Sequence, residues 1–497
     1  MNLASIIDGH PDDALAFVSR GNRTTYGELR DQVAQFRGGL IRLGIEPGDR
    51  VALVSANNWF FAVGYLAILG VGAVAVPLNP SSPSSEIRAE LISIGARAVV
   101  VGPSGRDAMA GIGQGATPVE FVIVPEGVDL AAATPLEKLL KGEPGAIVDR
   151  SPDDLAVLIF TSGTSGSPRA AMLTHGNLLT NLEQMQRHPG RALNPGDVSL
   201  GVLPMFHIFG LNVLFGLSLY AGSAVVLVER FDPASALDSI RDHGITLIAG
   251  APPMFQSWAT MAGADPEAMA TVRLAVSGAA ALTPEIAAAF EARFGKPIFQ
   301  GYGLTEASPT VTSSVIGGVA KPASIGLPLP GIDVRLVDEE GEDALTGDAG
   351  EIWVRGDNVF LGYWEDKEAT DRVLTGDGWL RTGDIAVVDD DGYLFIVDRA
   401  KDLVIVSGFN VYPAEVEDAI LEHPGVEAVA VVGVSHPHSG ETVKAFVVQA
   451  GGHHLEEDQI IEFCAGRLAR YKCPTKVTFV GELPRGQGGK LLRRALS

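Results

Sequence analysis

Apolar and polar positions alternate along this chain in two rhythms. From Arg23 to about Val101, helix-like and strand-like segments take turns. "TYGELRDQVAQFRGGLIRLG" spaces its apolar residues three and four apart, whereas "DRVALVS" and "ARAVVVG" are short β-branched runs. The pattern returns in "SAVVLVE", "ITLIAG" and "LAVSGA", and it predicts a large α/β domain with mostly parallel sheets. Residues 103–152 are rich in Ala, Gly and Pro and read as loops with short elements. From about Ile325 the rhythm changes to strands divided by glycine turns, "IDVRLVD", "GEIWVRG" and "GYLFIVDR", which predict an all-β patch. Beyond Arg399–Asp402 lies a smaller α+β unit with strands "AVAVVGV" and "TVKAFVVQA", the helix "LEEDQIIEFCAGRLARY" and a basic end, "LPRGQGGKLLRRALS". "FFAVGYLAILGVGAVAVPL", Phe60–Leu78, imitates a membrane span. Its glycines and β-branched second half instead predict a buried helix feeding a buried parallel strand.

Composition narrows the picture. A chain of 497 residues is too long for one core, so two or more domains are expected. A hydrophobic content of 46% and a charged content of 20% describe a globular chain. The net charge of −23 argues against a general nucleic-acid or anionic-membrane binder. It leaves room for peripheral membrane contact and for a local anion site. Cys464 and Cys473 are the only cysteines, which excludes a disulfide scaffold and fits a reduced, cytoplasmic setting. No Cys/His cluster has zinc spacing, and "MNLASIIDGHPDD" lacks the pattern of a signal peptide.

Four stretches carry candidate chemistry. In "TSGTSGSPRAAMLTH", Gly163 and Gly166 allow tight turns, while Thr161, Ser162, Thr164, Ser165 and Ser167 offer hydroxyls and Arg169 offers a fixed cation. The loop reads as a phosphate cradle after an apolar strand or as a Ser/Gly-rich surface linker. In "QGYGLTEASP", Gly301 and Gly303 flank Tyr302, an aromatic face for a purine or a tyrosine buried in a turn. Thr305 follows with a hydroxyl and Glu306 with a hard oxygen suited to Mg²⁺ beside phosphates. In "GWLRTGDIAVVDDDGYLFIVDRAKD", Asp384 sits in a glycine turn where it could accept two ribose hydroxyls, and Arg399 ends a strand. Asp389–Asp391 reads as a solvated hairpin. Near the end, "PRGQGGKLLRR" presents Lys490 on a glycine-rich arm, either a solvated terminus or a mobile donor to developing negative charge.

The order of "TSGTSGSPR", "PMFHIFG", "SGAAAL", "QGYGLTE", "TGD", "DRAKD", "SGFNVYPAEVE" and "PRGQGGK" resembles that of the adenylate-forming enzymes over nearly the whole chain. That superfamily includes acyl-CoA synthetases, peptide-synthetase adenylation domains and beetle luciferases. The resemblance implies an α/β fold: a large N-terminal domain of two α/β subdomains plus a β-barrel, and a small mobile α+β C-terminal domain. Mapped onto this chain, it implies an adenylation domain over 1–399, a hinge at 400–402 around Lys401, and a mobile domain over 403–497. It further implies two half-reactions. A carboxylate attacks the α-phosphate of ATP to give acyl-AMP and pyrophosphate, and the thiol of coenzyme A then displaces AMP.

By the same resemblance, residues 161–169 hold the β- and γ-phosphates. Tyr302 stacks near adenine, with Gly301, Gly303, Leu304 and Ala279 around it and Ile396 beside the base. Thr305 touches phosphate, Glu306 ligates Mg²⁺, and Asp384 with Arg399 holds the ribose. Lys490 bridges the reacting carboxylate and the α-phosphate. His207, read alone as a core histidine, lies where the acyl pocket begins. Ser407, Gly408 and Phe409 line the pantetheine tunnel. Arg470 and Lys472 read as a solvated helix end, with the phosphates of CoA as the alternative.

The chain departs from the family pattern at Arg169-Ala170, where Lys-Gly is usual, at Ala279, where a second Gly is usual, and at Gly486 and Gly488, where Thr or Ser is common. "GFNVYPAEVEDAILEHPGV" and "GYGLTEASP" look most like bacterial medium- and long-chain fatty-acyl-CoA synthetases. "PMFHIFGLN" also looks like 4-coumarate-CoA ligases, so an aryl acid is the alternative substrate. A non-catalytic nucleotide- or acyl-binding homologue is the alternative of another class. Oligomeric state is not legible.

Overall fold

The computed structural model describes residues 1–113, 115–161, 168–187, 193–280, 282–338, 341–399, 404–411, 413–484 and 496, without the side chains of 397–399, 410 and 414. Two large sheets form the body. In the first, the strands run in the order Thr134–Pro135, Phe121–Val124, Ala98–Val101, Arg50–Val54, Val74–Leu78, Leu155–Thr161 and Arg169–Thr174. All neighbours pair in parallel except the last two. In the second sheet, Ala224–Leu227, Val198–Gly201, Leu247–Gly250, Leu274–Ser277 and Ile298–Gly303 are successive parallel neighbours. Antiparallel pairs flank them at both edges.

The helices between these strands follow from local rules. Thr25 and Glu28 form a reciprocal capping box ahead of Tyr26–Arg42, and Tyr26, Leu29, Val33, Phe36 and Leu40 turn one apolar stripe into the core. The span-like segment resolves into the helix Trp59–Val71 and the strand Val74–Leu78, both largely buried. Asn58 caps the helix by accepting the Phe60 and Phe61 N–H groups, and Gly72, at φ 81°, ends it. Among the described residues no helix is long and apolar enough to cross a membrane.

The expected β patch is a four-stranded antiparallel sheet of Asp333–Val337, Gly350–Arg355, Leu380–Val388 and Leu394–Arg399. The Asp389–Asp391 turn that joins its last two strands is not merely solvated. Lys321 pairs with both carboxylates and lies 4.8 Å from the centre of the Tyr393 ring. The small domain has a core of its own, from Val404 to Val477, beneath a sheet of Phe409–Val411, Val404–Val406, Gly440–Gln449 and Val426–His436, with Lys476–Phe479 parallel to Gly440–Gln449. The hinge expected at 400–402 lies outside the described residues.

One buried histidine ties the fold to pH. His175 is fully buried, and its Nδ1 accepts the Leu3 N–H at 3.0 Å while its Nε2 has no partner among the described residues. Burial, helped by the nearby Arg150, lowers its pKa from 6.5 to about 4. Between those values the unfolded chain holds the proton and the folded chain does not, so stability falls as pH drops. The loss reaches about 3 kcal/mol at pH 4. His175→Asn keeps the acceptor for Leu3 and removes the titration. Urea unfolding followed from pH 7 to pH 4 should therefore show a shallower loss for the variant than for the parent.

Candidate active site

The C-terminal ends of the parallel strands from both sheets converge on one region, the usual ligand position in α/β folds. The nine-stranded sheet brings Gly278–Ala279 after Leu274–Ser277 and the end of Ile298–Gly303. The seven-stranded sheet brings Leu78 and Thr161. Between them lie two cavities that share His207, Leu304, Thr305 and Asp384.

The larger cavity, of about 370 Å³, is lined by Ala279, Gly301, Tyr302, Gly303, Ile396 and Gly408 at one end. Leu247, Ala249, Leu274, Val276, Val213 and Leu217 form an apolar wall. Tyr302 donates its hydroxyl hydrogen to Asp384 Oδ2 at 2.7 Å, so ring and carboxylate are held together. Arg399 is the backbone partner of Asp384 across the sheet; its side chain lies outside the described atoms. The backbone needs glycine at Gly303, where a Cβ would come within 2.1 Å of the Pro309 carbonyl oxygen.

The smaller cavity, of about 150 Å³, is lined by Thr161, Pro168, Phe206, Glu306 and Phe409 among others. Glu306 sits in the short turn Thr305–Ala307, which a neighbouring loop grips. The Phe360 N–H donates to the Glu306 carbonyl at 2.9 Å, Asn358 donates to the Ala307 carbonyl at 2.8 Å, and the Tyr363 hydroxyl donates to Glu306 Oε1 at 2.6 Å. That loop is itself laid along the strand Arg169–Thr174: Met172 donates to Gly362, Leu361 to Met172 and Trp364 to Ala170.

Arg169 has a partner that the sequence reading did not name. Its Nε donates to Asp366 Oδ2 at 2.7 Å, its side chain is 12% exposed, and its guanidinium lies 5.8 Å from the centre of the Tyr363 ring. In this arrangement the Nε is committed to the N-cap residue of the helix Lys367–Val373, so Arg169 ties the loop strand to the segment that positions Glu306. The Ala369 N–H and then Arg169 hold the Asp366 pKa below its usual value.

His207 stands at the junction of the two cavities. Burial lowers its pKa from 6.5 to about 4, so the ring is neutral at neutral pH. Its Nδ1 faces the Phe209 N–H at 3.2 Å, which assigns the proton to Nε2. The Phe409 ring approaches it edge-on at 6.2 Å, stacks over Phe206 at 6.3 Å and over Tyr471 at 4.5 Å. This aromatic column crosses from the large domain to the small one. Gly408, at φ 86°, has Ala251 Cβ at 3.0 Å from where its own Cβ would stand, so the small domain seats its backbone directly on the large domain.

Ser407 is exposed and does not line either cavity. Ser162, Gly163, Thr164, Ser165, Gly166 and Lys490 lie outside the described residues. Lys472 contradicts the reading of a solvated helix end: it is 4% exposed and pairs with Glu415 at 2.7 Å and Glu86 at 3.2 Å. Sequence reading missed Tyr363, Phe206 and Tyr471. "PMFH" and "GYW" place aromatics beside a histidine and a glycine, but neither stretch says which ring meets which carboxylate or domain.

Comparison with known proteins gives the site its relatives. The profile of a family described as "AMP-binding enzyme" matches residues 4–364, and one described as "AMP-binding enzyme C-terminal domain" matches residues 415–490. The chain is 35% identical to a long-chain-fatty-acid–CoA ligase of Escherichia coli O157:H7, over 97% of this chain and 91% of that protein. It is 37% identical to a feruloyl-CoA synthase of Amycolatopsis sp, over 95% of this chain and 93% of that protein. A solved malonyl-CoA ligase, a ternary product complex with methylmalonyl-CoA and AMP bound, superimposes with a TM-score of 0.83 at 32% identity, covering 97% of this chain and 99% of that one.

Ala279 occupies the left-handed region at φ 65° on the wall of the larger cavity. An alanine there costs about 1–2 kcal/mol, part of which glycine gives back as unfolded-state entropy. Ala279→Gly should therefore stabilise the large domain by about 0.5–1 kcal/mol, read as a higher midpoint in denaturant unfolding. A lower midpoint would mean that the Ala279 methyl group contributes more by packing than its backbone loses by strain.

Proposed function

The chain belongs to the AMP-binding enzyme family, and from that premise we propose that it joins a medium- or long-chain fatty acid to coenzyme A through an acyl-adenylate. As an AMP-forming acid–thiol ligase it uses ATP and CoA. The observation that carries the substrate reading is the apolar wall of Val213, Leu217, Leu247, Leu274 and Val276 behind His207. It offers an alkyl chain a water-free surface while its carboxylate stays at the junction with the smaller cavity.

In the first step an anion approaches a polyanion, which needs cations and donors fixed in place. Thr161 and Thr305 are assigned to the phosphates. Tyr302 and Ile396 are assigned to the adenine, Asp384 to the ribose hydroxyls with Arg399 as its cross-strand neighbour. Lys490, outside the described residues, is assigned to the carboxylate and α-phosphate. His207, being neutral, donates from Nε2 without adding charge. Magnesium, when bound, offsets phosphate charge. Among the described residues no cluster of three or more His, Cys, Asp or Glu could hold a metal. Glu306 alone is the donor set expected of an ion held mainly by nucleotide phosphates and water. Small and large domains are proposed to realign between steps about the hinge at 400–402, with 1–399 and 403–497 as the moving bodies.

One atom favours the aryl-acid alternative. Ser277 Oγ is buried on the wall of the larger cavity without a partner. A phenolic acid would satisfy it and an alkyl chain would not, and the feruloyl-CoA synthase relative is as similar as the fatty-acid ligases. Acid-dependent pyrophosphate release over a panel of C8–C18 and hydroxycinnamic acids separates the two. Fatty acids should lead, and Ser277→Ala should leave or improve their kcat/KM. A loss of tenfold or more on Ser277→Ala with hydroxycinnamates as the best substrates would overturn the fatty-acid reading in favour of the aryl one.

The role assigned to Lys490 has its own test. Lys490→Ala should abolish acyl-AMP formation from ATP yet still convert supplied acyl-AMP and CoA to the thioester. Equal loss of both half-reactions would remove Lys490 from the first step.

A further inference from the structure

Lys472 is a small-domain residue whose ammonium reaches into the large domain. Nζ donates to Glu415 Oε1 at 2.7 Å, in the first turn of the small-domain helix Pro413–Leu421. It also donates to Glu86 Oε1 at 3.2 Å, in the first turn of the large-domain helix Ser84–Ser93. The group is almost sealed: the side chains of Lys472, Glu415 and Glu86 are 5%, 4% and 9% exposed. Glu90, one turn after Glu86, closes the cluster from the large domain and is 7% exposed. Burial first, and then Glu86, push the Glu90 pKa well above the usual carboxylate value. Burial works against the Lys472 charge, but Tyr471, Glu86 and Glu415 outweigh it and hold its pKa above the usual lysine value.

Such a cluster stabilises little by itself, because desolvation offsets the attraction. Its effect lies in discrimination between arrangements. Among the described residues, Oε2 of each of Glu86, Glu90 and Glu415 is buried without a partner, so the Glu86 carboxylate depends on Lys472 while the domains are docked. A small displacement of the small domain leaves a buried carboxylate uncompensated, whereas full separation returns it to water. The cluster thus penalises half-docked arrangements. It also reaches the site: Glu86, Glu90, Tyr471 and Lys472 line the edge of the smaller cavity, Tyr471 stacks on Phe409 at 4.5 Å, and Phe409 faces His207.

We propose that the Glu86–Lys472–Glu415 tie is the positioning element that holds the small domain, and with it Phe409, in the arrangement used for acyl transfer to CoA. This rests on the two-step reading above. Glu86 touches no reacting atom in it, and acts through Lys472 and the Tyr471–Phe409 stack. In that reading adenylate formation uses another arrangement of the two domains and does not use the tie.

The test splits the half-reactions in Glu86→Gln. Acid-dependent ATP–pyrophosphate exchange should stay within about twofold of the parent, which also shows that the variant is folded. Single-turnover transfer from supplied acyl-AMP to CoA should fall about tenfold. Glu86→Asp, which keeps the charge but shortens the reach, should fall between. Dyes on cysteines placed at the exposed Ile41 and Leu421 positions should report a smaller docked fraction for Glu86→Gln with acyl-AMP bound. Parent-like transfer and docking in Glu86→Gln would overturn the tie, as would equal loss of both half-reactions in both variants. A parent chain without acid-dependent exchange would instead overturn the two-step reading, and the tie with it.

Discussion

The seat of Gly408 and Phe409 on the large domain is the constraint on which the site depends. Each cavity is made largely by the large domain but takes a wall residue from this small-domain loop. The contact has no slack. A Cβ at Gly408 would press on Ala251, and Phe409 is held between Phe206 and Tyr471 at ring distances of 6.3 and 4.5 Å. Aromatic stacking of this kind is worth only about 0.5–1.5 kcal/mol per pair beyond the area it buries. It can therefore fix an orientation and still be given up between steps. A buried ion pair close by adds angular selectivity without adding much net stability, which suits the realignment proposed between the two steps.

The large-domain side of the site is built differently. Glu306 is immobilised through backbone as well as side chain, by Phe360, Asn358 and Tyr363 on a loop that is itself hydrogen-bonded to the strand Arg169–Thr174. Arg169 closes this circuit through Asp366. Its guanidinium serves the geometry of the carboxylate opposite, so replacing a compact lysine with a forked arginine changes the wiring of the loop as well as its charge. Rigid groups on the large domain and a detachable wall on the small one fit the proposed two-step reading, in which one partner stays bound while the other is exchanged.

The fold was legible because its elements obey local rules. The Thr25–Glu28 box, the Asn58 cap and the Gly72 terminator each set a boundary within a few residues. The apolar run Phe60–Leu78 gave itself away by switching from helical packing to β-branched residues at its middle. The site was legible only as a set of names in order. Thr161, His207, Tyr302, Thr305, Glu306 and Asp384 do share cavities, but spacing along a chain carries no distance across it. Lys472 shows the limit. A lysine after an arginine-bearing helix reads as solvated, and only the approach of a helix nearly four hundred residues earlier in the chain makes it a buried cation. The ion pair of Arg169 was illegible for the same reason, since its partner Asp366 belongs to another segment. Ionic partners are set by tertiary contact, and hydrophobic periodicity is silent about them.

Some of the departures from local rules border the two cavities. Ala279 bears a left-handed backbone, His207 is kept neutral by burial, Ser277 Oγ lacks a partner, and Glu86, Glu90 and Glu415 each leave an oxygen unpaired. Ser277, Ala279 and His207 border the larger cavity, and Glu86 and Glu90 line the smaller one at the domain seam. A packed core removes such costs, because every unpaired polar group there lowers stability with nothing in return. The same physics that makes these groups costly in isolation makes them responsive to what binds.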